Sequence, residues 1–116
     1  MWKRHVVAIA AALALLGQHS ASAQPSTSAN DTMPGCRAFI TDSMRNLLEQ
    51  GVCAGIIQAM FYFGRTRLDV CFPDGVKLAQ AVRVVIRYID QRPERMHERF
   101  EALALEALQQ AWPCRR

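Results

Sequence analysis

The sequence lacks the closely spaced cysteine pairs that mark zinc knuckles and thiol redox sites. Its four cysteines are Cys36, Cys53, Cys71 and Cys114, so the gaps between them are 17, 18 and 43 positions. Structural zinc sites bring two ligands from each knuckle at spacings such as C-x₂-C, and redox sites use C-x-x-C. Neither spacing occurs, so the pattern argues against both chemistries.

Motifs of catalysis are also missing. The chain contains no nucleophile elbow, no phosphate-binding glycine loop and no paired-carboxylate arrangement. Histidine is scarce, and only His97 lies well inside the chain. A catalytic base needs an orienting partner and a nearby nucleophile, and nothing marks either, so His97 is interpreted as a surface or helix-end residue. We expect no enzymatic activity, no cofactor and no metal.

Long apolar runs are scarce too, and the one that stands out lies near the N-terminus. Lys3 and Arg4 precede an apolar stretch over residues 6–16, which is far shorter than the roughly 20 residues needed to span a bilayer. The motif A-S-A at residues 21–23 matches a signal-peptidase cleavage site. We predict a secretory signal peptide over residues 1–23; the alternative is an uncleaved N-terminal anchor. No cysteine immediately follows this apolar stretch, which excludes a lipoprotein anchor.

The net positive charge of the chain is small once residues 1–23 are left out. The chain has a formal net charge of +4, and without Lys3 and Arg4 its 12 Lys and Arg against 10 Asp and Glu leave +2. Nucleic-acid binding calls for a strong basic stripe, so no nucleic-acid partner is expected, nor a membrane partner after cleavage. The remaining 93 residues suffice for one domain. We predict a flexible lead-in over 24–35 and a disulfide-tied helical domain over 36–116.

The clearest helical pattern lies between residues 78 and 90. Leu78, Val82, Val85 and Ile89 recur at the spacing of one helix face, and other apolar residues leave only a narrow polar stripe. A helix of this kind is buried on most sides and is expected at the centre of a bundle.

The polar stripe of that helix contains two arginines one turn apart, Arg83 and Arg87. The simplest interpretation is that both are solvated. They are also our candidates for binding an acidic partner, since paired guanidinium groups bind carboxylates well.

Further helical segments are predicted around the central one. The first covers about residues 37–50 and ends at Gly51, after a helix or turn that Pro34-Gly35 interrupts. The second covers 51–67, and the last extends from Pro93 to about residue 112, with the charged residues 94–101 on a solvated face. Gly51 and Gly55 lie one turn apart, which favours close packing by another element of the domain. The alternative is a GxxxG dimer motif, which is typical of membrane helices. The prediction is an all-α fold: a small disulfide-stabilised antiparallel bundle of four to five helices.

The cysteines are predicted to form two disulfides, because an even number in an exported chain indicates a disulfide framework. A helix over residues 53–66 would rise about 20 Å, whereas bridged Cα atoms lie within about 7 Å, which disfavours a Cys53–Cys71 bridge. Antiparallel packing of the last two helices brings Cys71 and Cys114 together. By elimination Cys36 pairs with Cys53, although the path of the first segment is less defined.

Five segments of the sequence resemble a family of periplasmic proteins. They are SAND…GC at 28–36, GVCAGII at 51–57, CFPDGVKLAQAVRVVIRYID at 71–90, RPERMHERF at 92–100 and LALEALQQAWPC at 103–114. In this order they are similar to the Rap/Tai family, which includes immunity proteins against cell-wall amidases injected by type VI secretion. The domain of that family resembles the small helical fold of the HdeA acid-stress chaperone.

The resemblance implies a non-enzymatic periplasmic protein that inhibits a peptidoglycan amidase toxin by direct binding, and a homodimer. The alternatives are an acid-stress chaperone-like protein and a structural envelope protein without a toxin partner. One departure is Lys77, where the family often has a threonine that would cap the next helix; we expect Asp74 to take over part of that role. The shared motifs are cysteines, glycines and core residues, so they carry the fold and leave the binding surface undefined.

Overall fold

Four α-helices make up most of the structure, a computed structural model that describes residues 27–115. The predicted signal peptide therefore lies outside the described residues. The helices are α1 (Ala29–Ile40), α2 (Leu47–Phe63), α3 (Leu78–Asp90) and α4 (Phe100–Ala111), with a π-helical segment (Gly64–Leu68) after α2 and a 3₁₀ turn (Pro93–Arg95) before α4. The predicted all-α bundle is confirmed.

Helix α1 begins inside the segment predicted as a flexible lead-in, so the expectation for residues 29–35 is wrong. Its start is set by a capping box, in which the Ser28 hydroxyl accepts from the Asp31 amide and the Asp31 carboxylate accepts from the Ser28 amide. Pro34 lies inside the helix, where it costs about 3 kcal/mol. The helix continues because Met33 and Cys36 are fully buried on its inner face, and that packing outweighs the proline.

The turn between α1 and α2, residues 41–46, interrupts the helix predicted over residues 37–50. Asp42 and Asn46 both adopt positive φ, 52° and 56°, a conformation that Asp and Asn tolerate better than most residues. The apolar spacing there mimicked a helix face, but Met44 is 81% exposed. Helix α2 then passes through Gly51, because a glycine costs only about 1 kcal/mol in a helix interior.

The core is one cluster of buried side chains that joins all four helices of the described region. Helix α3 packs against α1, α2 and α4, as expected for the central helix. Full burial of a large aliphatic or aromatic side chain contributes about 1.5–3 kcal/mol, so this cluster dominates the stability. Its members are Ala29, Met33, Cys36, Cys53, Ile57, Met60, Val70, Ala81, Val82, Val85, Ile86, Ile89, Phe100, Leu103, Ala104, Ala107 and Leu108.

Helices α1 and α2 approach most closely at Gly35. A Cβ atom at this position would overlap the backbone carbonyl of Glu49, so only glycine allows the two backbones to lie this close. Next to that contact, Cys36 and Cys53 form a disulfide with both residues fully buried. The expectation that Gly51 and Gly55 are the close-packing glycines is wrong, because a Cβ at either would meet nothing within 4 Å.

The C-terminal tail is fastened to the segment that precedes α3. A disulfide joins Cys71 to Cys114. Both bridges therefore have the predicted partners. The Cys71 amide donates to the Trp112 carbonyl at 2.8 Å, and the Gln109 side chain donates to the Leu68 carbonyl at 2.8 Å. The Phe72 ring lies 5.3 Å from the Trp112 ring, so the clasp combines covalent, hydrogen-bonded and aromatic contacts.

The ends of α3 and α4 differ from prediction in two details. Lys77 is the N-cap of α3 and no side chain caps it, so Asp74 does not take over that role. Helix α4 begins at Phe100, because residues 96–99 turn and pair with the start of α1. In that pairing the Ala29 amide donates to the Glu98 carbonyl and the Phe100 amide donates to the Thr27 carbonyl.

Candidate protein-binding surface

The two arginines singled out from the sequence lie on the exposed side of α3. Neither Arg83 nor Arg87 forms a side-chain hydrogen bond or ion pair within residues 27–115. Arg87 borders an open groove of about 290 Å³ between α3 and α4, and Arg83 does not line it. The groove residues are Val84, Arg87, Tyr88, Gln91, Ala107, Gln110 and Ala111. The groove is therefore open, and Arg87 is the one cationic side chain in its lining.

Of the charged residues predicted to form a solvated face, Arg95 and Glu98 instead belong to an ion-pair cluster, whereas Glu94 and Arg99 are exposed. The Arg95 guanidinium donates to both carboxylate oxygens of Glu98 at 2.8 Å and to those of Glu106 at 2.7 and 3.0 Å. The Tyr88 hydroxyl also donates to Glu106 at 2.8 Å. The arrangement ties the turn before α4 to both α3 and α4. The N–H groups of the Arg95 guanidinium are directed at acceptors inside this arrangement. We therefore assign the arrangement a structural role.

Acid is expected to weaken this Arg95 cluster. Hydrogen bonds from Arg95 lower the pKa of Glu98 and of Glu106 below the ordinary value of 4.5. Because the folded pKa values lie below the unfolded ones, the stabilisation is fully present above about pH 4.5 and is lost as the pH falls through the folded values. Arg95→Met should therefore lower the melting temperature more at pH 7 than at pH 3, as measured by circular dichroism.

The matched control for that experiment is Glu94→Gln. Glu94 is an exposed carboxylate of the same turn and forms no ion pair within residues 27–115, so its removal should leave the melting temperature nearly unchanged at both pH values. Equal losses for Arg95→Met at pH 7 and pH 3 would show that the cluster contributes packing alone.

Helix α2 leaves one apolar side uncovered. Leu48, Val52, Gly55, Ala59 and Tyr62 lie within about 80° of one another around the helix axis, and all five are exposed. We call these residues the outer face of α2. Its two largest side chains are 79% and 82% exposed. A helix that is apolar on every side is normally buried, so this uncovered side is the feature of the structure that best fits a binding surface.

The C-terminal end of the outer face adds an aromatic and two cations. Phe63 follows Tyr62 with its ring 5.0 Å away in an edge-on arrangement, and it is 48% exposed. The π-helical segment that follows carries exposed Arg65 and Arg67. Tyrosine and arginine are enriched among the residues that dominate binding energy at protein interfaces.

The π-helical segment packs against the residues that follow it in the chain. A Cβ at Gly64 would lie 2.9 Å from the Val70 carbonyl oxygen and 3.0 Å from the Phe72 ring. The Val70 amide returns a hydrogen bond to the Gly64 carbonyl at 3.0 Å. Phe72 also stacks on Phe61, with ring centroids 4.0 Å apart. The exposed aromatics and arginines are thus presented from an ordered base.

Other kinds of site find little support in the described region. Residues 27–115 contain no group of three or more His, Cys, Asp or Glu placed to hold a metal, and all four cysteines are in disulfides. Across the same residues, no helix combines the length and the apolar character needed to cross a membrane. His97 is exposed.

One comparison with known proteins identifies a relationship. A family model described as Rap1a immunity proteins matches residues 18–114, a range that includes all four helices and both disulfides. No curated protein and no solved structure gives a significant match.

Proposed function

The chain belongs to the Rap1a immunity protein family, and from this premise we propose that it is a non-enzymatic inhibitor of a cell-wall amidase toxin. It acts in the periplasm, where it binds the toxin directly and blocks access to the active site. The observation that supports this proposal most is the uncovered apolar side of α2 on an otherwise well-packed domain.

The construction of the domain suits inhibition by occlusion. Two disulfides and a continuous core hold the helices in one arrangement. A binding surface on a rigid scaffold loses little conformational freedom on association, so more of the contact energy becomes affinity. The described residues offer no catalytic group at the outer face of α2, which is consistent with inhibition by contact alone.

Export and dimerisation complete the proposal. The predicted signal peptide over residues 1–23 would deliver the chain to the periplasm, the oxidising compartment that its two disulfides require. We further propose a homodimer, which light scattering on the oxidised protein would detect as twice the monomer mass. A monomer over the micromolar range would remove the dimer from the proposal and leave the inhibition untouched.

The function is tested with a purified cell-wall amidase toxin, taken from the genes beside this one where they encode such an enzyme. The oxidised protein, purified from periplasm, should abolish peptidoglycan cleavage by that enzyme at about one binding site per enzyme, and its export should protect cells that carry the toxin in their periplasm. Unchanged cleavage in the presence of excess protein, together with unprotected cells, would contradict the proposal.

A further inference from the structure

We propose that the outer face of α2, together with Phe63, Arg65 and Arg67, is the surface that contacts the toxin. The expected contact area on the toxin has an apolar floor bordered by carboxylates. This inference rests on the proposed function and deepens it by naming a surface and the chemistry of its partner. Its first support is the exposure of large apolar side chains on a side of α2 that no other element of residues 27–115 covers.

The shape of the outer face is the second support. Its centre is flat, because Gly55 and Ala59 present almost no side chain, and a Cβ at Gly55 would meet nothing within 4 Å. Leu48 and Tyr62 project at opposite ends of the face, about 21 Å apart along the helix. A flat centre between two projecting apolar side chains is complementary to a convex ridge on a partner protein that crosses the helix.

The charges around the outer face give the third support. Arg45 precedes α2, and Arg65 and Arg67 follow it. No side-chain hydrogen bond or ion pair engages these three arginines within residues 27–115. Glu49 is the sole acidic residue of α2. Asp31 and Glu49 lie beside Leu48 and Val52, so the excess of cations is at the C-terminal end, which complements a partner that carries carboxylates next to an apolar surface.

The same charges argue against a second copy of this chain as the occupant. An antiparallel pairing of two α2 helices about Gly55 would bring Arg45 of one copy near Arg65 of the other. A parallel pairing would bring each arginine near its own counterpart. Like charges across an interface are unfavourable, so the toxin is the better occupant and the proposed homodimer uses another surface.

The test measures the affinity and the association rate with which the purified amidase toxin binds oxidised variants of the full exported chain. Tyr62→Ala and the pair Arg65→Glu/Arg67→Glu should each weaken binding at least tenfold. For the arginine pair, the association rate should also lose most of its dependence on salt, because electrostatic steering is removed. All three positions are exposed, and circular dichroism verifies that the variants fold.

The rival surface is tested by the same charge reversal at Arg83 and Arg87 of α3. That pair should change the affinity less than threefold. Loss of binding in Arg83→Glu/Arg87→Glu, with Tyr62→Ala unaffected, would overturn the inference and leave the function standing. Loss of a dimer in Leu48→Asp at unchanged toxin affinity would show that a second copy covers the face, and would overturn it as well. Failure of the unmodified chain to bind would overturn the proposed function itself.

Discussion

Replacing Cys71 and Cys114 together with alanine is expected to lower the free energy of unfolding by about 4 kcal/mol. The bridge closes a loop of 43 residues, and in the chain-entropy model a loop of this length gives a stabilisation of that size. Urea denaturation followed by circular dichroism measures the loss. A domain of this size has a total stability of about 5–15 kcal/mol, so the variant should retain about 1–11 kcal/mol.

The single variant Cys114→Ala is the control for that measurement. It breaks the same bridge, so its loss should match that of the double variant to within about 1 kcal/mol. Both cysteines are only half-buried, so little packing is removed with the sulfur atoms. A loss below about 1 kcal/mol in the double variant would show that hydrogen bonds and aromatic contacts hold the tail without the bridge.

Gly35→Ala is expected to destabilise the domain by about 3 kcal/mol. The added methyl group would overlap the Glu49 carbonyl, and because this neighbour is backbone, α1 and α2 must move apart. That movement also disturbs the adjacent Cys36–Cys53 bridge, which is fully buried. Thermal and urea denaturation of the oxidised protein would measure the effect.

Gly55→Ala is the matched control, because the same change is made on the open side of α2. Its new methyl group meets nothing within 4 Å, so removing a helix-interior glycine should stabilise the domain by about 0.5–1 kcal/mol. The two variants should therefore shift the melting temperature in opposite directions. Equal small effects would mean that α1 and α2 are less closely packed than the structure shows.

The sequence predicted the elements whose local pattern and tertiary role agree. Helix α3 shows this best, since the spacing of Leu78, Val82, Val85 and Ile89 is that of a buried helix face and the last three are fully buried. The cysteine pairing followed from helix length and antiparallel packing.

The continuation of the first helix through Pro34 and Gly35 could not be predicted because its local signals oppose its tertiary contacts. Pro34 and Gly35 both disfavour a helix, yet the close approach to α2 at Gly35 is what keeps α1 in place. That contact joins residues in two separate helices and leaves no mark in the local pattern. The spacing of Phe39, Met44 and Leu48 wrongly predicted one continuous helix, because the apolar spacing of a helix face extends across an exposed turn.

The candidate site was missed for a related reason. Helix α2 is apolar on nearly every side, so its sequence does not tell which side the core covers. The structure decides this by placing Cys53, Ile57 and Met60 against the core, which leaves the opposite side open. The arginines chosen from the sequence were on the helix with the clearest polar stripe, and a clear polar stripe is equally the mark of ordinary solvation.

The most direct test of toxin binding through the outer face of α2 is hydroxyl-radical footprinting of the oxidised chain, alone and with the purified amidase toxin. We predict that labelling of Leu48, Tyr62 and Phe63 falls several-fold in the complex, while labelling of exposed His97 stays the same. Unchanged labelling of the three α2 residues in a formed complex, with protection elsewhere, would contradict the assignment of this surface. Absence of any protection would contradict binding to the amidase.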